Sequence, residues 1–384
     1  MAEVICDRAL NRALLDRQLL LSRVRLPALA TVEHLVGLQA QEPLDPYVGL
    51  WARLDGFDPV GFGAALADRA VVRIALQRST IHLVTARDCL ALRPVLQPVG
   101  ERMARGQFGR RLDGVDLAEL AAAARELVDT QPLTFGELGT RLVERWPGRD
   151  PMALAQTARA LLPLVQIPPR AVWQRSGRSL HVTAESWLGR PLGTEAAPDD
   201  LVLRYLAAFG PASVADAQNW SGLTRLGEVV DRLVPRLRTF GAEDGRVLYD
   251  LPDAPRPGPD VPAPVRFLPQ YDNVLLGHAD RGRIVPPAAA ELADEQYHWS
   301  PLLVDGLVRG VWRVARERGR VTLHARVPGL AAAQREAVVA EATALLAFLE
   351  PAAAAREVRV GPSWSARPPG AHRRVASRAR GRRG

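Results

Sequence analysis

The sequence contains no lysine, so all 50 of its basic residues are arginine. A lysine amine is required for a Walker-type phosphate loop, a pyridoxal Schiff base, a protein kinase site and an amine-dependent lyase. Arginine does not replace it, because the guanidinium group holds its proton. The absence of lysine therefore excludes these four classes of enzyme.

Cysteine and long apolar runs are also scarce. Cys6 and Cys89 are the two cysteines and lie far apart, so the sequence shows neither a disulfide framework nor a cysteine-based zinc site. No run approaches the roughly 18 consecutive apolar residues of a membrane helix, and the start, MAEVICDRALNR, lacks the apolar stretch of a signal peptide. We therefore expect a protein of the reducing cytoplasm with no membrane partner.

Acidic residues are missing from one end of the chain. The formal net charge is +8, but residues 367–384 hold seven arginines and no acid. Without these seven, 43 basic residues stand against 42 acidic ones, so the rest of the chain is nearly neutral. We predict a disordered tail over 366–384, which either holds phosphates without specificity or is a solvated segment of no defined role.

The 384 residues and their 47% hydrophobic content predict more than one packed unit. Apolar spacing in a first unit, 1–113, predicts strands at VVRIAL and STIHLVT. Its predicted helices cover 28–39, 43–55, 59–68 and 86–105. A second unit, 114–192, has three predicted helices, a strand and a two-stranded ribbon turning at Ser176-Gly177. That order is typical of a winged helix.

The same order recurs over 197–252, with predicted helices at 199–209, 213–220 and 224–234, the last capped by Thr224. Seven prolines within 252–269 then indicate an extended connector. A last unit, 264–365, has three predicted antiparallel strands (LLVDGLV, GVWRVARE and RVTLHARV), a helix over 331–349 and a strand at EVRV. The predicted fold is α+β and mainly helical, with tandem winged helices and a closing α/β domain.

Charge separates the two predicted winged helices. Residues 151–192 contain five arginines against Glu185 alone, whereas 211–253 contain five arginines against seven acids. A surface that docks on phosphate presents cations and few acids, so we expect the first unit to touch DNA and the second to be scaffold. The candidate contacts in the first unit are Gln156, Arg159, Trp173, Arg175 and Arg178.

A second candidate phosphate contact lies in a stretch, 102–111, that has four arginines and no acid. Arg110 and Arg111 fall in its glycine-containing loop. The alternative is a solvated loop, in a chain whose arginine content reflects genomic composition.

Six strings together resemble the winged-helix DNA glycosylases of the AlkZ and YcaQ type: GLQAQEPLDPYVGLWARL, RSTIHLVTARD, PPRAVWQRSGR, GPASVADAQNWSGL, FLPQYDNVLLGHADRGRI and LVDGLVRGVWR. The similarity extends over nearly all of residues 8–360. It implies a C-shaped assembly of tandem winged helices that excises alkylated bases, N7-alkylguanine above all, including bulky antibiotic adducts and some interstrand crosslinks. The resemblance implies no metal and no cofactor.

The resemblance also implies a catalytic motif, which stands here as Gln39-Ala40-Gln41. Glutamine at the second polar position resembles the AlkZ branch, which is associated with resistance to a self-made alkylating natural product. Neither amide is a general base or a carboxylate nucleophile, so hydrolysis by paired carboxylates is excluded at this motif. A guanine alkylated at N7 is already cationic, so its departure needs no protonation. Amide oxygens that hold a water and face the developing positive charge contribute roughly 3 kcal/mol.

The motif poses a geometric difficulty, because residues two apart on a helix face different ways. Pro43 disfavours helical geometry at Glu42, so we expect the helix to end near Gln39 and both side chains to turn into the cleft. The alternative is a pair of helix-end glutamines that make capping or surface hydrogen bonds.

Other polar residues are reserve candidates. Glu42 is a loop carboxylate that would be the first choice if a base were needed, ahead of Asp45, which is interpreted as a turn residue. Asp272, His278, Asp280 and Arg281 are predicted to shape the cleft as a hydrogen-bonded cluster. A metal site is the less favoured interpretation there, since a single histidine shows no ligand spacing. His82 is interpreted as a core histidine.

The leading hypothesis is a monofunctional DNA glycosylase, because the missing amine removes the usual route to β-elimination. We expect a monomer with no protein partner that acts on double-stranded DNA carrying alkylated bases, in the cytoplasm at the nucleoid, through an open cleft without full extrusion of the base. The alternatives are a winged-helix regulator or adduct-binding protein, and a metal-dependent hydrolase using Asp272, His278 and Asp280.

Overall fold

The computed structural model describes residues 3–194, 197–289, 292, 300–317 and 319–363. The predicted arginine-rich tail, 366–384, lies outside the described residues. Helices and strands both contribute to the fold, which confirms the predicted mixture of the two. Within the described part of the chain, no helix is both long enough and apolar enough to cross a membrane.

The helices of the structure include most of the predicted ones. In chain order they are α1 (Asp7–Arg17), α2 (Ala28–His34), α3 (Asp45–Arg53), α4 (Pro59–Ala67), α5 (Ala86–Phe108), α6 (Leu117–Thr130), α7 (Phe135–Arg145), α8 (Pro151–Leu161), α9 (Ala184–Leu188), α10 (Asp199–Phe209), α11 (Val214–Ser221), α12 (Leu226–Leu233), α13 (Asn273–Leu276) and α14 (Ala332–Leu349). Of these, α2 ends earlier and α12 begins later than predicted. Several helices begin at side chains that cap them, as Asp116, Thr134 and Asp150 do for α6, α7 and α8.

The strands form three sheets. They are β1 (Glu3–Ile5), β2 (Leu38–Gln39), β3 (Val71–Ala75), β4 (Ile81–Thr85), β5 (Leu164–Gln166), β6 (His181–Thr183), β7 (Arg238–Ala242), β8 (Val247–Asp250), β9 (Arg266–Phe267), β10 (Ser300–Val304), β11 (Leu307–Glu317), β12 (Arg320–Arg326) and β13 (Ala355–Gly361). The sheet orders are β1-β7-β8, β2-β4-β3-β5-β6 and β13-β12-β11-β10-β9.

The antiparallel sheet β2-β4-β3-β5-β6 joins the predicted units 1–113 and 114–192. Its central pairing places Arg73 of β3 opposite Gln166 of β5. The helices α6, α7 and α8 then cover their own apolar core, which includes Leu120, Leu138 and Leu154. The two units therefore share one sheet while the helices of the second unit bury a separate core.

The third helix of the second predicted repeat begins later than expected. Thr224 does not cap it, because α12 starts at Leu226 and its N-cap is Arg225 in a left-handed conformation, φ 63°. The Leu226 N–H donates instead to Oε1 of Gln218 at 3.0 Å. A side chain from α11 thus satisfies the helix start that the sequence assigned to a local cap.

The predicted strand LLVDGLV is also corrected. Asp305 and Gly306 are both left-handed, with φ 49° and 77°, and the chain turns there to pair β10 with β11. An Asp-Gly pair is suited to a tight hairpin, because both central residues need a positive φ. The segment is therefore two strand ends joined by a turn, in the sheet that packs on α14.

Candidate active site

The motif Gln39-Ala40-Gln41 begins at the last residue of strand β2 and not at a helix end, which corrects the predicted helix over 28–39. The helix α2 ends at His34, and Val36 and Gly37 have positive φ angles of 56° and 93°. A Cβ on Gly37 would lie 2.7 Å from Cγ1 of Val84, so both the conformation and the close approach require glycine. The chain then extends along β4 and pairs Gln39 with His82.

An extended backbone removes the geometric difficulty that a helix imposes on the two glutamines. The pairing continues one residue past β2, because the Ala40 N–H donates to the Ile81 carbonyl at 2.7 Å. The Ala40 carbonyl accepts from Nη2 of Arg73 at 2.6 Å, and its side chain is fully buried. This extended geometry covers Gln39 and Ala40, whereas Gln41 stands at a bend and is not among the described residues that line the cleft with Gln39. Gln41 is exposed just beyond this anchored residue.

Gln39 is buried, with 8% of its surface exposed, and lies in the wall of a cleft of about 330 Å³. Its Oε1 accepts a hydrogen bond from Nη2 of Arg78 at 2.7 Å. The cleft brings together the β3–β4 turn, α11 and the segment after β9. Its lining includes Gln39, Arg78, Asn219, Tyr271, His278 and Arg281. None of the described residues that line it is an aspartate or a glutamate.

The predicted cluster at 272–281 is divided by the structure. His278 lines the cleft, and burial together with the nearby Arg283 lowers the pKa of His278 to about 3, so the imidazole is neutral. Its Nε2 pairs with the Phe209 carbonyl at 3.1 Å. Arg281 also lines the cleft. These two of the four predicted residues therefore line the same cleft as Gln39.

The two aspartates of that cluster have other partners. Asp272 is buried and forms a two-pronged ion pair with Arg53, at 2.8 and 2.9 Å, while also capping α13. Asp280 is exposed and pairs with Arg246 at 2.9 Å. Among the described residues, no group of three His, Cys, Asp or Glu side chains is arranged to hold a metal ion.

His82 is a core histidine, as interpreted from the sequence. It is 3% exposed, and its Nδ1 pairs with the Thr80 carbonyl at 3.0 Å. Burial and the charge of Arg78 lower the pKa of His82 to about 3. It is therefore neutral at physiological pH.

Asp45, interpreted from the sequence as a turn residue, has a perturbed carboxylate. It begins α3, its Oδ2 is buried, and that atom has no hydrogen-bond partner among the described residues. Burial, reinforced by the carboxylates of Glu42 and Asp272, raises the pKa of Asp45 to about 7. Glu42 itself is exposed. The raised pKa makes Asp45 the stronger candidate for a base. Sequence spacing places Glu42 first, because spacing does not show which carboxylate is buried.

Arg78 was missed by the sequence reasoning. It stands in a polar turn between two predicted strands, and that position was the available signal. Arg159, predicted to contact DNA, points to the same turn, where its Nη2 donates to the Ser79 carbonyl at 2.9 Å. Gln156, on the same helix, is half-buried and contacts Sδ of Met152 at 3.7 Å.

The remaining DNA candidates differ in exposure. Trp173 packs its ring against Tyr47 and Phe348, with centroids 4.9 and 5.1 Å apart, so it serves the apolar core. Four arginines are exposed: Arg110, Arg111, Arg175 and Arg178. Two of these have acidic neighbours, since Arg111 pairs with Asp150 at 3.1 Å and Arg178 pairs with Glu137.

Comparison with known proteins gives one family and one fold. The family model described as DNA glycosylase AlkZ-like matches residues 32–348. The solved structure of Streptomyces sahachiroi DNA glycosylase AlkZ superposes with a TM-score of 0.68 at 20% identity, covering 93% of this chain and all of that one. At that identity the likeness establishes a shared fold. No curated protein matches the chain at the threshold applied.

Proposed function

The chain belongs to the AlkZ-like DNA glycosylase family, and from that premise we propose that it is a monofunctional enzyme for cationic N-alkylated purines, N7-alkylguanine above all. The observation that carries this proposal is the cleft wall. A neutral amide, Gln39, and a neutral imidazole, His278, face a cleft whose described lining has no carboxylate. Such a site favours a leaving group that needs no proton.

The reaction follows from the charge of the substrate. A guanine alkylated at N7 takes both electrons of the bond between C1′ and N9 and departs as a neutral base. Water adds to C1′ and releases a proton to solvent, which leaves an abasic site. We propose that the amides of Gln39 and Gln41 orient the attacking water and place their dipoles beside an oxocarbenium-like centre. A fixed dipole of this kind lowers the barrier by roughly 3 kcal/mol.

The lack of lysine supports monofunctional action, because strand cleavage by β-elimination normally passes through an amine adduct. We further propose that the cleft admits bulky adducts and interstrand crosslinks without full extrusion of the base. Repair of such lesions, or resistance to a genotoxin, is the cellular role that fits this substrate class. Glu42 and Asp45 stay in reserve as proton acceptors for lesions that are poorer leaving groups.

The proposed DNA surface is built from exposed arginines. We assign residues 114–192 and 197–252 to tandem winged helices in a C-shaped arrangement closed by 264–365. Four exposed arginines are suited to phosphate contacts: Arg175 and Arg178 in the segment between β5 and β6, and Arg110 and Arg111 just after α5. The enzyme would act as a monomer on double-stranded DNA at the nucleoid.

A base-release assay tests the function. Duplex DNA with one N7-methylguanine is expected to lose that base, and the same duplex with guanine is expected to stay intact. The variants Gln39→Ala and Gln41→Ala, alone and combined, test the motif, and the combined variant is expected to lose at least about 100-fold in rate.

Three results would contradict the proposal. Equal release of unmodified guanine would show that the enzyme itself activates the leaving group. Unchanged rates in the combined variant would remove the motif from the mechanism. Sequence-specific duplex binding without any base release would favour the regulator hypothesis.

A further inference from the structure

The hydrogen bond between Arg78 and Gln39 determines which end of the Gln39 amide is free. A guanidinium group has only donors, so the atom of Gln39 that lies 2.7 Å from Nη2 of Arg78 must be the oxygen. No described residue pairs with the amide nitrogen, and this nitrogen is not among the fully buried polar atoms that lack a partner. The donor end of Gln39 is therefore the end left for the cleft.

Arg78 is itself held in place. Its Nη1 donates to the Trp220 carbonyl near the end of α11, so the guanidinium group bridges Gln39 and a helix that is 142 residues away in sequence. Burial lowers the pKa of Arg78 to about 10, which leaves it a cation at neutral pH. A charged donor makes a stronger hydrogen bond than a neutral one.

The turn that carries Arg78 is strained and firmly supported. Arg78 and Ser79 have consecutive left-handed conformations, with φ 52° and 57°, which non-glycine residues seldom adopt. Arg159 donates to the Ser79 carbonyl at 2.9 Å, and Nε2 of Gln77 donates to the Val36 carbonyl at 3.0 Å. Strain that the surrounding structure maintains is often found where a side chain must be placed accurately.

The geometry points to Arg78 as a positioning residue that occupies the oxygen of Gln39 and leaves its NH₂ group to donate to the nucleotide, so that the acceptor for the attacking water is Gln41. This inference rests on the proposed function, because it assumes that the cleft holds the nucleotide. The motif alone gives both glutamines the same role, whereas this inference makes Gln39 the donor to the nucleotide and Gln41 the acceptor for the water.

Isosteric acids test the division of roles. Gln39→Glu removes the donor and places a carboxylate against Arg78, so it is expected to lose as much single-turnover rate as Gln39→Ala. Gln41→Glu keeps an acceptor and is expected to retain more rate than Gln41→Ala. The opposite order, with glutamate tolerated at 39 and not at 41, would overturn the assignment.

A double-mutant cycle tests whether Arg78 acts through Gln39. Arg78→Met is expected to lower the single-turnover rate on N7-methylguanine DNA by about 10- to 100-fold with little change in Kd for the duplex. In a Gln39→Ala background the same change is expected to have no further effect. Arg78→Lys, which keeps the charge and loses the two-pronged group, is expected to fall between. An equal loss in both backgrounds would show that Arg78 has only a structural role.

Arg93 provides the matched control. Its guanidinium is buried, has a pKa lowered by burial to about 10, and donates to Oε1 of Gln97 and to the Ala160 carbonyl at 2.8 Å. Among the described residues, it is not part of the cleft lining, and its hydrogen bonds go to Gln97, Ala160 and Leu162 and not to Gln39. Arg93→Met is therefore expected to lower the thermal stability about as much as Arg78→Met while leaving the rate near that of the parent. A comparable loss of rate would refute a specific role for Arg78.

A spectroscopic measurement separates this inference from the proposed function. In protein labelled with ¹⁵N-glutamine, the side-chain NH₂ signal absent from Gln39→Ala identifies Gln39. This signal is expected to shift in Arg78→Met and Arg78→Lys and to stay in place in Arg93→Met. An unmoved signal in both Arg78 variants would overturn the inference, even if base release were observed. A shifted signal without release of any alkylated base would leave the positioning intact and contradict the function.

Discussion

Two groups of arginines in this chain have opposite environments. Arg53, Arg78 and Arg159 point inward and donate to carboxylate, amide or carbonyl oxygens. Arg175 and Arg178 lie exposed in the segment between β5 and β6. In a protein without lysine, one residue type must provide both internal hydrogen bonds and surface charge. A count of basic residues therefore overstates the DNA-binding surface, because part of that charge lies inside the fold.

The largest expected effect comes from breaking a buried pair. Arg53→Ala leaves the buried Asp272 carboxylate without its cation, and removal of one partner of such a pair costs about 3–5 kcal/mol in the free energy of unfolding. Urea denaturation measures this loss. Arg25→Ala is the control, because Arg25 and Asp55 form an exposed pair, and it is expected to be neutral within error. Equal free energies of unfolding for the two variants would contradict the distinction between internal and exposed arginines.

Asp45 sharpens the comparison, because its Oδ2 is buried without a hydrogen-bond partner and the described residues show no arginine paired with it. Its pKa of about 7 lies above the ordinary 3.8, so the folded state holds the proton more tightly than the unfolded state. The protonated Asp45 therefore adds to the free energy of unfolding. This contribution is complete below about pH 4 and is lost as the pH rises toward 7. Asp45→Asn is expected to be more stable than the parent at pH 8, by up to about 4 kcal/mol, and equal to it at pH 3.5.

Thermal or urea unfolding over this pH range measures the effect of Asp45. A variant whose pH profile parallels that of the parent would show that Asp45 titrates normally. If base release also falls in Asp45→Asn while stability rises, the unpaired carboxylate is retained for activity and at a cost in stability.

A smaller effect is expected for DNA binding. Arg175→Ala should weaken binding to undamaged duplex and reduce the slope of log K against log salt by about one unit per lost phosphate contact. Arg178→Ala is expected to do less, because Glu137 already neutralises part of its charge. Titrations at several salt concentrations measure both slopes. An unchanged slope for Arg175→Ala would show that this segment does not contact DNA.

The smallest effect on salt dependence is expected for Arg159. Its guanidinium is engaged with the Ser79 carbonyl, so Arg159→Gln should leave the salt slope unchanged while slowing base release through the Arg78 turn. A slope reduced as much as in Arg175→Ala would place Arg159 on the DNA surface after all. That result would remove the division between inward and outward arginines in the first predicted winged helix.

Local patterns predicted the elements well where they repeat. The helix α10 has the predicted bounds 199–209, and α3 and α4 lie within about two residues of theirs. Prediction failed where a distant residue decides the outcome. Gln218 displaces Thr224 as the partner of the α12 start, and a close approach of Val84 to Gly37 ends the first predicted helix early.

For the site, the motif was implied by the family resemblance, and its chemical limits followed from residue types. Amides cannot act as bases, and this holds wherever Gln39 and Gln41 lie. The sequence did not show that Gln39 is buried against Arg78, since their contact depends on the pairing of β2 with β4. The raised pKa of Asp45 was likewise beyond reach, because burial and the approach of Asp272 cause it.

Residue content and order determined the family, the exclusion of amine chemistry and the positions of most helices, because these depend on which groups are present and on spacing along one segment. The tertiary structure alone decided which arginines are internal, which end of Gln39 is free and that burial raises the pKa of Asp45. These properties depend on burial and on partners such as Trp220, which approaches Arg78 from 142 residues away. Desolvation and hydrogen bonding depend on which residues are close in space, and folding alone brings these residues together.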